Sequence, residues 1–542
     1  MASDGDLGDL LAKILPFGAE LTVRHVSSTP SPAPALFAAA PGREPEQTFL
    51  ESHFVSASVD SPKDDGAEII VFGMEVMVYT TAHLTTIFVS KADSTGFLHL
   101  LKLPQKVSVL RLISSTFLSY LARTHQRPGV RLVVSLFARA QNQYLFPGSI
   151  ENAEKHVLDD RGLIKWWCRA VDPIIREHEP ESVSKDPKLL NQTVEATKAS
   201  ATAYLIVPGC DRFETRNFFP PTARSDAQDR PRWLSSYPLK QMCHDPEAPP
   251  RCLVPRLPDD PKTRFLIDLD DELPEPTEGE TAPLATGLWK SVKSLDQFWE
   301  MMSFRQECSA GRLVGFLWLV INPPGLMNST TMASRTRSSI LDKATSHAIP
   351  EEAQSENRPD QSKAEPSSEP HKELTDVEQP AELQFAPALS FHPSPTASIP
   401  AVSTEPNPFY WPEAGRGNVI LSEADYKKMM DCVLDHFYDE KEIVASTQAY
   451  VDEVASLADQ LTWGKRVTGT HVPQSTTSES VPINNLLDSG LIRKRKKSED
   501  EASKAAAGDS AQPSESDTQQ APSQPAPVNV LNAGLIRKKK RT

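Results

Sequence analysis

The chain has 542 residues, 47 of them proline, with 39% hydrophobic and 24% charged side chains and a formal net charge of -15. Its six dispersed cysteines show no C-x-x-C spacing or ordered His/Cys pattern, which argues against a disulfide framework and a zinc site. Net acidity argues against a groove-reading nucleic-acid binder, and the lack of a run of about 20 apolar residues argues against a membrane-spanning helix.

In chain order, the acidic opening "MASDGDLGDLLAKILPFGAEL" lacks the basic n-region of a secretory signal, so an intracellular, soluble protein is expected. Leu7–Leu15 reads as an amphipathic helix ended by Pro16. "AEIIVFGMEVMVYTT" and "LTTIFVSKADSTGF" are β-rich runs joined by a short turn. "KVSVLRLISSTFLSYLARTH" predicts a helix and "GVRLVVSLFARA" the next strand. "DRGLIKWWCRAVDPIIREH" predicts a helix with Leu163, Ile164, Trp167, Ala170, Val171, Ile174 and Ile175 on one stripe, and Trp166 off it. "TAYLIVPGC" and "GRLVGFLWLVI" read as buried strands. Between them, "PDDPKTRFL" has Asp260 as N-cap and Pro261 at the first helical position, with Phe265, Leu266 and Leu269 facing inward. Lys262 then sits in a first turn, where the helix dipole disfavours a cation by roughly 0.3–1 kcal/mol. A carboxylate partner or loss of the charge would relieve it.

Residues 326–410 and 466–542 are Ser/Pro/Glu-rich and read as disordered, because such segments cannot bury enough apolar area to offset chain entropy. The intervening 411–465 holds a helical pair. One helix has Ser422 and Asp425 at its start and Met429, Met430, Val433, Leu434 and Phe437 on a face, and the other has Tyr450, Val451, Val454, Leu457, Ala458 and Leu461. The pair needs a body to pack on, and residues 1–325 supply it. Residues 326–410 would then be an insertion in a single α/β domain whose central mixed sheet is surrounded by helices.

Common nucleotide, zinc-protease and hydrolase signatures are absent, as is the usual acetyltransferase phosphate loop. Three long stretches nevertheless carry a resemblance: "SLFARAQNQYLFPGSIENAEKHVLDDRGLIKWWCRAVDPI" from Ser135, "RLPDDPKTRFL" from Arg256 and "SLDQFWEMMSFRQECSAGRLVGFLWL" from Ser294. They resemble the fungal chaperone-dependent histone H3 lysine acetyltransferases, a family named from regulation of Ty1 transposition. The resemblance implies a fold like the CREB-binding-protein-type acetyltransferases, with a long substrate and coenzyme loop. It also implies acetyl-coenzyme A as cosubstrate; the residue spacing noted above gives no reason to expect a metal.

In "SKADSTGFLHLLKLPQKVSV" the resemblance places the coenzyme against Ala92, Asp93, Ser94 and the following turn, where Lys102, Gln105 and Lys106 suit a pyrophosphate. An ordinary connection with solvated lysines is the alternative. The resemblance further implies that Lys262 is autoacetylated beside Asp93, and that Asp260 has an acid–base or lysine-positioning role. In "TRNFFPPTARSDAQDRPRWLSSYPL" it implies Trp233 as a substrate-tunnel residue, with Arg216, Arg224 and Arg232 toward the coenzyme. Taken alone, Trp233 reads as a loop anchor on the core.

The C-terminal stretch repeats a short peptide: "NLLDSGLIRKRKK" from Asn485 and "NVLNAGLIRKKKR" from Asn529. The clusters Arg493, Lys494, Arg495, Lys496, Lys497 and Arg537, Lys538, Lys539, Lys540, Arg541 suit nuclear import or an electrostatic tether for an acidic partner. Leu491/Ile492 and Leu535/Ile536 would be docking anchors. The expectation is a nuclear enzyme acetylating newly made H3, with H3–H4 presented by a histone chaperone of the anti-silencing-function or nucleosome-assembly type, in support of replication-coupled assembly. A non-catalytic histone or chaperone adaptor is the alternative.

Overall fold

Two long β-branched and aromatic runs, β4 (Glu68–Thr80) and β5 (Leu84–Ser94), form the hairpin expected of them, paired antiparallel from Phe72↔Ser94 to Thr80↔Thr85. The computed structural model describes residues 5–103, 107–181, 198–243, 245–273, 288–305, 311–324 and 407–472. Gln105, Lys106 and both basic clusters of the C-terminal repeats lie outside the described residues, as does nearly all of 326–410.

The span before this hairpin, unassigned from sequence, contributes β1 (Glu20–Ser28), β2 (Ser31–Ala33) and β3 (Thr48–Asp60) after helix α1 (Leu7–Ile14). Serines and histidines interleaved with Val and Phe hide these strands from a hydropathy reading, although β3 is buried along most of its length. Helix α2 (Val109–Thr124) crosses from β5 to β6 (Arg131–Arg139), which pairs parallel to β5. Helix α3 (Asp160–Arg176), N-capped by Asp159, leads to β7 (Glu179–Pro180) and β8 (Ser200–Ile206). Short helices α4 (Arg212–Arg216) and α5 (Leu239–Met242) flank β9 (Trp233–Leu234). Helices α6 (Pro261–Asp270) and α7 (Leu295–Met302) precede β10 (Val314–Asn322).

The chain returns as β11 (Val419–Leu421), helices α8 (Glu423–Asp435) and α9 (Ile443–Ala458), and β12 (Lys465–Thr468). Among the described residues the sheet runs β11-β1-β3-β4-β5-β6-β10-β8-β7, with β12 also on β1, β2 on β3 and β9 on β8. Parallel and antiparallel pairs mix, and helices flank both faces. This is the expected mixed α/β architecture.

Alternation along β10 defines two cores: Leu317, Leu319 and Ile321 face α2 and α3, whereas Phe316, Trp318 and Val320 face α6 and α7. Helices α8 and α9 join the first core through Tyr426, Met429, Val433, Tyr450 and Val454. Leu434, Phe437 and Leu461, expected on the buried face, are exposed instead. Phe437 and Leu461 fall beyond the helix ends at Asp435 and Ala458, and Leu434 lies in the last turn off the buried face. No described helix is long and apolar enough to cross a membrane.

Candidate active site

Strands β5 and β6 run parallel, so their carboxyl ends open on one edge of the sheet, where α/β folds commonly hold ligands. A cleft of about 850 Å³ lies there, lined by Arg139 at the end of β6 and the residues to Gln143, by Val157 to Asp160 at the start of α3, by Arg264 of α6 and by Arg312 before β10. Arg312 is paired with Asp160 at 3.1 Å and donates to the Ala140 carbonyl at 2.6 Å. Arg139 and Arg264 complete a cationic rim suited to phosphates. None of these three arginines was singled out from sequence. Only their convergence marks them, and it joins residues 139, 264 and 312 across the fold.

Asp93, at the end of β5, is nearly buried and fully engaged. Its Oδ1 accepts from the Ser94 N–H at 2.8 Å and from Lys155 Nζ at 2.9 Å. Its Oδ2 accepts from the backbone N–H groups of Tyr144, Leu145 and Phe146, at 2.6, 3.0 and 3.4 Å. Asp93 thus folds the segment after the cleft-lining residues back onto β5. The expected neighbour of Lys262 proves to be the partner of Lys155, which the sequence did not reveal.

Lys262 and Asp260 are each 1% exposed and form an ion pair. The Lys262 ammonium sits 4.2 Å from the Phe316 ring centroid and 5.6 Å from that of Trp318. Asp260 also caps α6 by accepting from the Lys262 N–H at 2.9 Å. Of the two reliefs open to a first-turn cation, the carboxylate partner is present. A buried carboxylate committed to these two bonds is poorly placed to take a proton from an incoming lysine.

Its neighbour differs. Asp259 lies in the left-handed region at φ 56°, a conformation Asp tolerates better than most residues. Its carboxylate is 58% exposed and 3.1 Å from Lys91 Nζ, which also reaches Glu75 at 3.3 Å. Burial alone would lower the Lys91 pKa, but Glu75 and Asp259 outweigh it and raise the value. The β5 end and the Asp-Asp-Pro-Lys turn therefore meet on one side of the sheet, through Lys91 and Asp259.

Other expected residues scatter. Trp233 pairs beside Ala203 and packs in the first core, its indole N–H donating to Asp172 of α3 at 3.0 Å. Lys262 lies against Phe316 and Trp318 in the second core, so the sheet separates it from Trp233. Arg232 donates to the Ile175 and His178 carbonyls at the end of α3, a structural cap. Arg216 stacks over Phe213 at 5.9 Å, and Arg224 is exposed. Ala92 and Ser94 flank Asp93, while Lys102 lines a separate cleft with Leu98, His99 and Val109. The described cysteines are free thiols.

The family model described as the histone acetyltransferase KAT11-type domain matches residues 7–131 and 127–453. The chain is 56% identical to the histone acetyltransferase rtt109 of Aspergillus flavus over 99% of each chain. It is 30% identical to that of Schizosaccharomyces pombe over 311 residues, 57% of this chain and 70% of the relative. The crystal structure of Rtt109 from Aspergillus fumigatus superposes with a TM-score of 0.69 at 57% identity, covering 86% of this chain and 99% of that one.

Proposed function

Since this chain belongs to the KAT11-type histone acetyltransferase family, we propose that it transfers the acetyl group of acetyl-coenzyme A to a lysine of newly made histone H3, with H3–H4 delivered by an acidic chaperone. The adaptor alternative gives way, because the family is one of enzymes. The observation that carries the site assignment is the arginine-rimmed cleft at the shared carboxyl edge of β5 and β6, with the Lys91–Asp259 contact linking this strand end to the Asp-Asp-Pro-Lys turn.

Arg139 and Arg264 hold the coenzyme's phosphates, and the thioester points toward the turn. The substrate ammonium, with an ordinary pKa of about 10.4, must first lose a proton. Its amine then attacks the thioester carbonyl, the tetrahedral oxyanion collapses, and the coenzyme thiolate leaves and takes up a proton. The exposed Asp259 carboxylate is better placed than Asp260 to orient the incoming ammonium. Lys262 is the residue that becomes autoacetylated, which would remove a buried charge from beside Phe316 and Trp318.

The C-terminal basic repeats direct the protein to the nucleus and tether it to the chaperone, whose acidity would otherwise be repelled by an acidic catalytic body. The test is labelled acetyl-coenzyme A with H3–H4, alone and with chaperone, mapping label on H3 and on Lys262. Label on chaperone-bound H3 is expected, and its absence would refute the reading. Deleting residues 484–542 should weaken chaperone-dependent turnover and its salt sensitivity with coenzyme binding unchanged. Full chaperone stimulation after that deletion would remove the tether.

A further inference from the structure

Far along the sheet from the cleft, Glu51 and His53 project from the same face of β3, and His125 follows the last turn of α2 onto that face. All three are at most 3% exposed, and the candidate ligand atoms lie within 4.8 Å of one another. Glu51 Oε1 is 3.4 Å from His53 Nε2, and Glu51 Oε2 is 3.3 Å from His125 Nε2. Neither Glu51 Oε1 nor His53 Nε2 has a hydrogen-bond partner, although both are sealed from water.

The outer ring nitrogens have partners of their own. His125 Nδ1 lies 3.0 Å from the Leu121 carbonyl and 3.1 Å from the Thr124 hydroxyl, and in the tautomer that donates to the carbonyl Nε2 presents a lone pair toward Glu51. His53 Nδ1 lies 3.0 Å from His25 Nε2, and donation along that bond leaves His53 Nε2 bare as well. Two imidazole Nε2 atoms and both oxygens of a carboxylate thus converge in a buried pocket in which Glu51 Oε1 and His53 Nε2 have no hydrogen-bond partner, and a cation between them would satisfy both.

The spacing points to a metal. A charge-assisted N–H···O bond would be about 2.7–2.9 Å. The observed 3.3 and 3.4 Å, each from its own carboxylate oxygen, are longer than that, and all three ligand atoms lie within 4.8 Å of one another, which leaves room for an ion between the side chains. Each imidazole also has the outer hydrogen bond that orients metal-bound histidines.

We propose that Glu51, His53 and His125 bind a divalent metal, zinc by ligand type, through two Nε2 atoms and the carboxylate. The metal clasps β3 to the end of α2, beside the returning chain: a Cβ at Gly415 would lie 2.6 Å from the His125 ring.

The test uses the full-length chain without a polyhistidine tag, loaded with zinc chloride, desalted and read by plasma mass spectrometry. About one zinc per chain is expected, with a melting temperature that falls on chelation and recovers on zinc addition. Cobalt substitution should give the visible bands of a nitrogen/oxygen site without thiolate charge transfer. Glu51→Gln and His53→Gln, checked for folding by circular dichroism, should each retain under about a tenth of an equivalent, while Cys243→Ser retains it all. Wild-type protein that keeps no zinc overturns the proposal, as does zinc kept undiminished by both ligand variants.

Discussion

Replacing Asp260 with Ser leaves a side chain able to cap α6 but removes the carboxylate that pairs with Lys262. Breaking a buried ion pair by deleting one member costs about 3–5 kcal/mol. An independent bound comes from the lysine itself, which can shed its proton. From an ordinary pKa of about 10.4, neutralisation at pH 7.4 costs about 4 kcal/mol. The two figures agree, and the Phe316 ring at 4.2 Å offsets part of the loss, roughly 1 kcal/mol. We therefore expect Asp260→Ser to lose about 3 kcal/mol at pH 7.4.

The pH dependence separates this cause from simple misfolding. In the variant the folded-state pKa of Lys262 is depressed, so between that value and about 10.4 the unfolded chain binds more protons and stability rises with pH, by up to about 1.4 kcal/mol per unit. The double variant Asp260→Ser/Lys262→Met should recover most of the deficit. The assay is guanidinium unfolding of protein shown by mass spectrometry to be unacetylated at Lys262, between pH 7 and 10. A loss below about 1 kcal/mol, or a double variant no better than the single, would refute the buried charge pair.

Arg139→Ala and Arg264→Ala should each raise KM for acetyl-coenzyme A about tenfold, as expected for a lost charge-assisted bond, with little change in melting temperature. An unchanged KM in both would empty the cleft of its role. Asp93→Asn should destabilise by about 2–4 kcal/mol, because Lys155 loses a buried counter-charge, and adding Lys155→Met should restore part of it in a double-mutant cycle. Burial pushes the Glu68 carboxyl up, but bonds from Arg24 at 2.6 and 3.0 Å and from Ser58 pull its pKa below 4.5. Its contribution is thus full above the unfolded value and lost as pH falls through the lower folded one, so acid titration of unfolding should flatten below pH 4.5 in Glu68→Gln. Replacing residues 330–402 with a flexible linker of about 15 residues should leave folding and histone acetylation intact, since the chain leaves at β10 and re-enters where the Phe409 ring meets that of Phe49 in β3 at 5.2 Å, four strand spacings away, about 20 Å. Loss of either would show that the segment contributes to the folded body.

Elements with one dominant period were legible in the sequence: the β4–β5 hairpin, the α3 stripe, and α6 with Asp260 capping and Pro261 first. β1 and β3 were not, because His25, Glu51 and His53 occupy inward positions where a hydropathy reading expects apolar side chains. At the site, the turn and the strand end were found, and the contact between them is Lys91–Asp259, two residues from Asp93 on the strand and three from Lys262 on the turn. A bulge opposite Glu75/Val76 shifts the register just before Lys91 and re-aims the side chains beyond it. Nothing local in the sequence announces such a shift. Trp233 was expected in the substrate tunnel by resemblance, while strand alternation, with Trp233 beside Ala203 and away from Tyr204, puts it on the face of the sheet away from Lys262.

The returning segment bears on the site despite its distance in sequence. Its docking is driven by burial of side chains such as Tyr426, Met429, Val433, Tyr450 and Val454 against the first core. The docked pair then grips the segment that holds Asp93. The Tyr438 N–H donates to the Pro147 carbonyl at 2.7 Å, and its own carbonyl accepts from Asn152 at 3.0 Å. Its ring meets Phe146 at 4.9 Å. Asn152 lies three residues before Lys155, and Phe146 is one of the three amides on Asp93. The helical pair thus fixes from behind the loop whose front lines the cleft, and a catalytic body cut at residue 324 would keep the strands of the site but lose the buttress that sets their ends.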